Sequence, residues 1–173
     1  VRGVLGRARS LRLRALAAFL RTRLFAAGDD DSSGREPVTT VWYHVRDLDS
    51  GETRPVFGQG MFAFPGPWSP DGTKLLGIDL RHNSDSSIHL IDLETDEVRE
   101  LTPHSDDALF FPIAWSADGS GFYLVTDEGS EFRGLAYYDL GAGRHEWYDG
   151  EPQADVEDAA MSADGRHLAW LVN

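Results

Sequence analysis

The chain has 173 residues, 41% hydrophobic and 11% aromatic, enough to bury the core of an ordinary domain and too apolar for a disordered tail. It has no cysteine, which excludes disulfides, thiolate metal sites and a cysteine nucleophile, and fits a cytoplasmic protein. Seven arginines and no acid precede Asp29, whereas the remainder carries all 29 acids against nine basic residues, so the body repels phosphates and anionic lipid: neither nucleic acid nor membrane is an expected partner.

Lysine occurs once, at Lys74, and aspartate outnumbers glutamate 19 to 10. Two origins fit this bias. A halophilic surface uses dense carboxylates that salt screens, and a GC-rich genome replaces lysine by arginine without adaptation to salt.

Residues 1–28 place Leu13, Leu16, Leu20 and Leu24 at helical spacing, but arginines interrupt every face. The longest apolar run, Ala15 to Leu20, is too short for a signal-peptide core or a bilayer span. The composition breaks at "GDDDSSG", residues 28–34, which reads as a linker. Residues 1–34 are therefore expected to be a basic helical or disordered segment outside the main fold, and the first residue, Val rather than Met, fits an alternative start codon, a fragment or a gene start set too early.

From residue 35 the pattern is one of strands. "TTVWYHVRDL" and "TRPVF" are two strands joined by "DSGE", and Pro55 places the second of them at a sheet edge, where a missing N–H is tolerated. "MFAFPGPWS", "TKLLGIDL", "IHLIDL" and "VRELT" follow as four antiparallel strands, with "RHNSDSS" expected as a polar loop between the second and third. "LFFPIAWS", "GFYLVTD", "LAYYDL" and "RHEWYD" repeat that order, and "VEDAAMS" and "RHLAWLV" begin a third round.

One turn punctuates each round: "WSPDG" at 68–72, "WSADG" at 115–119 and "MSADG" at 161–165. Trp68 to Trp115 is 47 residues and Trp115 to Met161 is 46, a period that marks repeated architecture. In these turns Ser opens, Asp bonds local backbone N–H groups and Gly accepts positive φ, so Asp71, Asp118 and Asp164 are expected as turn residues rather than metal ligands or catalytic carboxylates. Trp68 and Trp115 are expected to fill the wedge between neighbouring units. The fold class is all-β: a partial β-propeller over 35–173, two whole four-stranded blades with a half blade at each end.

The stretches "PWSPDGTKLLG", "IHLIDLETDEVRELTPH", "AWSADGSGFYLVTDEGSEFRGLAYYDL" and "AMSADGRHLAWLVN" resemble the WD40-like or TolB-like propeller repeat. In particular they are similar to the propeller domain of prolyl oligopeptidase family serine peptidases, in the acylaminoacyl-peptidase and dipeptidyl-peptidase branch. The resemblance covers about residues 38–173. It implies a non-catalytic scaffold that gates peptide substrates to a separate α/β-hydrolase domain, with further blades and that domain as its missing partners. The alternative is a stand-alone TolB-like propeller that binds a protein or small ligand.

The chain supplies no reaction of its own. None of its serines has glycine two before and two after, and His44, His82, His89, His104, His145 and His167 show no metal-binding spacing. "RHNSDSSIH" is expected to set His82, Asp85 and His89 around one solvated hairpin loop, and Asp127, Glu128 and Glu131 lie on another, where they could meet a peptide's amino group. No catalytic, cofactor-binding or metal residue is assigned, and no cofactor is expected. The two end halves would complete one blade between them, so two chains could combine as a homodimer with a six-bladed ring.

Overall fold

The computed structural model describes residues 41–59, 62–148 and 150–173, and the segment expected over 1–34 lies outside them. Every regular element in the described residues is a strand. The chain-order elements are β1 (Val41–Arg46), β2 (Thr53–Gln59), β3 (Phe62–Trp68), β4 (Lys74–His82), β5 (Asp85–Asp92), β6 (Val98–Glu100), β7 (Phe110–Trp115), β8 (Gly121–Thr126), β9 (Gly134–Asp139), β10 (Arg144–Trp147), β11 (Val156–Met161) and β12 (Leu168–Val172).

Pairing is antiparallel and strictly sequential. β3-β4-β5-β6 and β7-β8-β9-β10 are four-stranded sheets, and β1-β2 and β11-β12 are two-stranded ones. This is the expected partial propeller of two blades and two half blades. Pro55 falls in β2, opposite His44 at a register shift, where the strand has no second neighbour among the described residues.

Side-chain alternation buries both faces of each whole blade. On β4, Leu75 packs with Tyr43, Phe57 and Ile91 against the β1-β2 pair, while its neighbour Leu76 joins Ile88, Phe110, Phe122 and Tyr138 against the next blade. The same division recurs on β8, where Leu124 turns back and Val125 packs with Leu135 and Val156 against β11. Trp115 is buried between blades as expected, and its Nε1 donates to the Pro67 carbonyl 3.0 Å away. Phe122 stacks on Tyr138 with ring centroids 5.1 Å apart, and the Tyr138 hydroxyl donates to the Leu101 carbonyl at 2.7 Å.

All three S-x-D-G corners have the expected chemistry. Asp71, Asp118 and Asp164 each accept from the preceding Ser hydroxyl, at 2.6, 2.7 and 2.6 Å, and from the backbone N–H two residues on. Gly72, Gly119 and Gly165 sit at φ of 74, 72 and 69°, which a side chain would strain. The sequence turn "DSGE" belongs to a second repeated corner, whose recurring aspartate the sequence analysis does not single out. Asp47 follows β1, Asp92 and Asp139 end β5 and β9, and each Oδ1 accepts the N–H groups two and three residues on.

One expectation is corrected. "RHNSDSS" is not a loop: β4 runs to His82 and β5 starts at Asp85, leaving a two-residue turn. Ser86 is fully buried because its hydroxyl accepts from Phe110 N–H at 2.8 Å and donates to the Phe110 carbonyl at 3.1 Å, which lets a polar residue fasten one blade to the next.

Phe122→Ala is expected to destabilise the chain by about 3–5 kcal/mol, read from a urea titration followed by tryptophan fluorescence. Gly121→Ala should also lower the midpoint, since a Cβ there would lie 2.1 Å from the Tyr138 carbonyl oxygen, a backbone atom.

Candidate functional site

Each blade has two rims. The S-x-D-G and Asp-Leu corners occupy one, and the β4-β5, β6-β7 and β8-β9 connections occupy the other. Charge converges on the second rim, beside the β4-β5 turn.

Asp85 is its centre. The side chain is 10% exposed, and its Oδ1 accepts from Arg81 Nη1 at 3.0 Å and His104 Nε2 at 2.7 Å. Arg81 Nη2 donates to Ser87 Oγ at 2.6 Å and to Glu100 Oε1 at 3.2 Å, and Ser87 donates to the same carboxylate at 2.7 Å. The His104 side chain is 4% exposed, and its Nδ1 lies 2.6 Å from the Thr102 carbonyl, which can only accept. Both ring nitrogens thus face acceptors, which favours the imidazolium, while Arg81 Nη1, 3.1 Å from the same Nε2, opposes it. Arg81 and, when protonated, His104 face the carboxylates of Asp85 and Glu100.

The proton affinities follow from these contacts. Burial opposes charge on His104, but hydrogen bonds to Asp85 and to the Thr102 carbonyl prevail and raise its pKa. Burial likewise opposes charge on Asp85, and the hydrogen bonds from His104 and Arg81 outweigh it, so its pKa is lowered. At the opposite rim, bonds led by the Ser69 hydroxyl hold Asp71 at about 2, and bonds led by the Ser120 N–H hold Asp118 at about 2.

His89 does not join His82 and Asp85. It lies inside β5 opposite Gly77 and Glu100, buried against Phe57 with ring centroids 5.0 Å apart. Burial lowers its pKa, and Nδ1 has no hydrogen-bond partner among the described residues. Asp79, buried on the same face two pairs along β4, is raised by burial.

Asp107 takes the place expected of His89. One ligand atom each of His82, Asp85 and Asp107 falls within 4.8 Å of the others, so these three could surround a cation. Arg81 and His104 already bind Asp85, and a metal ion would have to compete with both. The expected acidic trio disperses into separate duties. Asp127 accepts the Leu109 N–H at 2.7 Å, Glu128 faces His145 at 3.5 Å, and Glu131 is exposed.

A cavity of about 300 Å³ opens at the other rim between the β1-β2 pair and the first blade, lined by Arg46, Arg54, Trp68, Thr73 and Glu94 among others. Arg54 is tied to Asp96 and to the Leu93 carbonyl, and Arg46 donates to Thr53 Oγ1 at 3.1 Å. Side chains of both signs line it, and they select no ligand class.

Solved structures share this architecture. The chain is similar to TolB from Acinetobacter baumannii at 24% identity and a TM-score of 0.55, over 76% of this chain and 34% of that one. An oligogalacturonate lyase in complex with manganese gives 17% identity and a TM-score of 0.55, over 73% and 34%. A prolyl endopeptidase gives 16% identity and a TM-score of 0.50, over 80% and 25%. The chain thus spans about a third of the first two and a quarter of the third. No family model and no curated protein matches it. These likenesses establish the fold, a partial β-propeller.

Asp85→Asn is expected to cost about 3–5 kcal/mol, toward the low end because Arg81 reaches solvent. The pH dependence tests the assignment more sharply. Because the His104 pKa is raised, its contribution is complete below about pH 6.5 and fades as pH rises through the folded value. Because the Asp85 pKa is lowered, its contribution is present above about pH 4 and fades as pH falls through the folded value. The stability difference between wild type and His104→Gln should therefore peak between about pH 4 and 6.5. A difference that stays flat from acid to alkali counts against the imidazolium.

Proposed function

We propose that this chain is a non-catalytic propeller portion of a prolyl-oligopeptidase-like serine peptidase, a scaffold that admits peptides to a hydrolase domain carried elsewhere. The carrying observation is the likeness to a prolyl endopeptidase over 80% of this chain and 25% of that one, which is the relation expected of a non-catalytic part. Two sequence features support it. The chain has no G-x-S-x-G elbow, and its acidic composition favours the cationic amino end of a peptide over anionic substrates.

A second reading is a TolB-like propeller that binds a protein or small ligand with no peptidase attached. The higher identity to TolB, 24% against 16%, favours it. Coding sequence that flanks residues 1–173 separates the two. Further blades followed by G-x-S-x-G, then Asp and His, support the peptidase; blades that end at a stop codon sink it.

Under either reading the 173-residue chain is expected to release no chromophore from short peptide nitroanilides and to take no label from a fluorophosphonate probe. Labelling of a serine, abolished by its replacement with alanine, would overturn the non-catalytic assignment.

A further inference from the structure

Asp85 receives both of its donors on one oxygen. Oδ1 accepts from Arg81 and His104, whereas Oδ2 accepts no hydrogen bond among the described residues and faces His82 Nε2 at 3.8 Å. Only 10% of the side chain is exposed, so Oδ2 is a largely buried polar atom short of a partner.

Two more ligand atoms converge on the same point. Asp107 Oδ1 lies 3.5 Å from His82 Nε2, and the three atoms fall within 4.8 Å of one another. Ser84 Oγ donates to Asp107 Oδ2 at 3.4 Å, which favours its accepting from His82 Nδ1 at 3.2 Å. That tautomer turns the Nε2 lone pair toward the two carboxylates. A metal-binding imidazole is ordinarily held in this way, its other nitrogen fixed by a polar neighbour.

The spacings separate a proton from a metal ion. A charge-assisted N–H···O bond is about 2.7–2.9 Å long, and both His82 Nε2 separations exceed it. In a tetrahedron, zinc bonds of about 2.1 Å set the ligand atoms about 3.4 Å apart, close to the 3.5 and 3.8 Å found here. Magnesium and calcium take oxygen ligands in larger shells, so the imidazole favours zinc. Charge agrees: even with His104 protonated, Arg81 and His104 face three carboxylates, those of Asp85, Glu100 and Asp107.

We propose that His82 Nε2, Asp85 Oδ2 and Asp107 Oδ1 bind one zinc ion, with a fourth position left to water. The ion ties the β4-β5 turn to the β6-β7 connection, while Arg81 and His104 hold Asp85 through its other oxygen. All three ligands lie between residues 82 and 107, within one blade and its exit. The inference goes beyond peptide gating; a chain that binds no zinc would leave that reading untouched, and a labelled serine would leave this one untouched.

Isothermal titration calorimetry of the 173-residue chain, first stripped of metal by a chelator, should show one zinc bound per chain, with neither calcium nor magnesium taking its place. His82→Ala and Asp107→Asn, both at exposed side chains, should keep the circular dichroism of the wild type and weaken zinc binding by more than about tenfold. His44→Ala with His167→Ala removes two exposed histidines outside the cluster and should leave the affinity unchanged. Cobalt(II) gives a readout that needs no variant: the metal-free chain should develop the intense visible absorption of a tetrahedral ion, which zinc then abolishes. Absence of zinc binding at micromolar concentration, binding that survives His82→Ala or Asp107→Asn, binding lost with His44 and His167, or the pale spectrum of octahedral cobalt would overturn the proposal.

Discussion

The constraint behind the whole molecule is that a four-stranded sheet with apolar side chains on both faces cannot stand alone. Leu75 and Leu76 are adjacent on β4, yet they belong to different cores, one shared with the preceding half blade and one with the following blade. Each sheet is therefore an adhesive layer between two others. Stability lives in the interfaces, as in any array whose units touch only their neighbours. The contacts that cross them are specific: Trp115 to the Pro67 carbonyl, Tyr138 to the Leu101 carbonyl, Ser86 to Phe110.

Layering explains what was legible in the sequence. Corners repeat because each blade turns at the same place, so "SPDG" and "SADG" could be counted and the blades placed from their spacing. The Asp-Leu corner was equally countable, at Asp47, Asp92 and Asp139, but its positive-φ position four residues on is glycine only at Gly51 and Gly143, with Asp96 in the middle copy, and the residues between differ each time. "RHNSDSS" misled for a different reason. Serine and aspartate are ordinary loop formers, and nothing local announces that Ser86 will meet the Phe110 backbone or that Asp85 will meet His104. A polar residue inside a strand is decided by what lies 19 or 24 positions away.

The charged rim shows the same dependence on distance in sequence. His104 stands in "LTPHSDD", which contains no motif, while Arg81 and Asp85 stand in the preceding hairpin. Their meeting requires the β4-β5 turn and the β6-β7 connection to return to one rim. Once there, the network must be neutral within itself, because burying a lone imidazolium or carboxylate would cost several kcal/mol. This is why the almost wholly enclosed His104 has its pKa raised by Asp85 and the Thr102 carbonyl in spite of its burial.

Aspartate does two different jobs at the two rims, and that separates architecture from function. At the S-x-D-G rim, Asp71 and Asp118 are exposed and hold their protons weakly because hydroxyl and backbone donors converge on one oxygen; they are geometry written in charge. At the other rim, Asp85 is committed to Arg81 and His104, whereas Asp107 and His82 remain at the surface with weaker partners. The first arrangement repeats with every blade and so cannot distinguish one ligand from another. The second occurs beside one hairpin only, among the described residues, and breaks the symmetry of the repeat. A propeller acquires specificity where its blades stop being equivalent, and in this chain that place is the β4-β5 turn and the loop that carries His104 and Asp107.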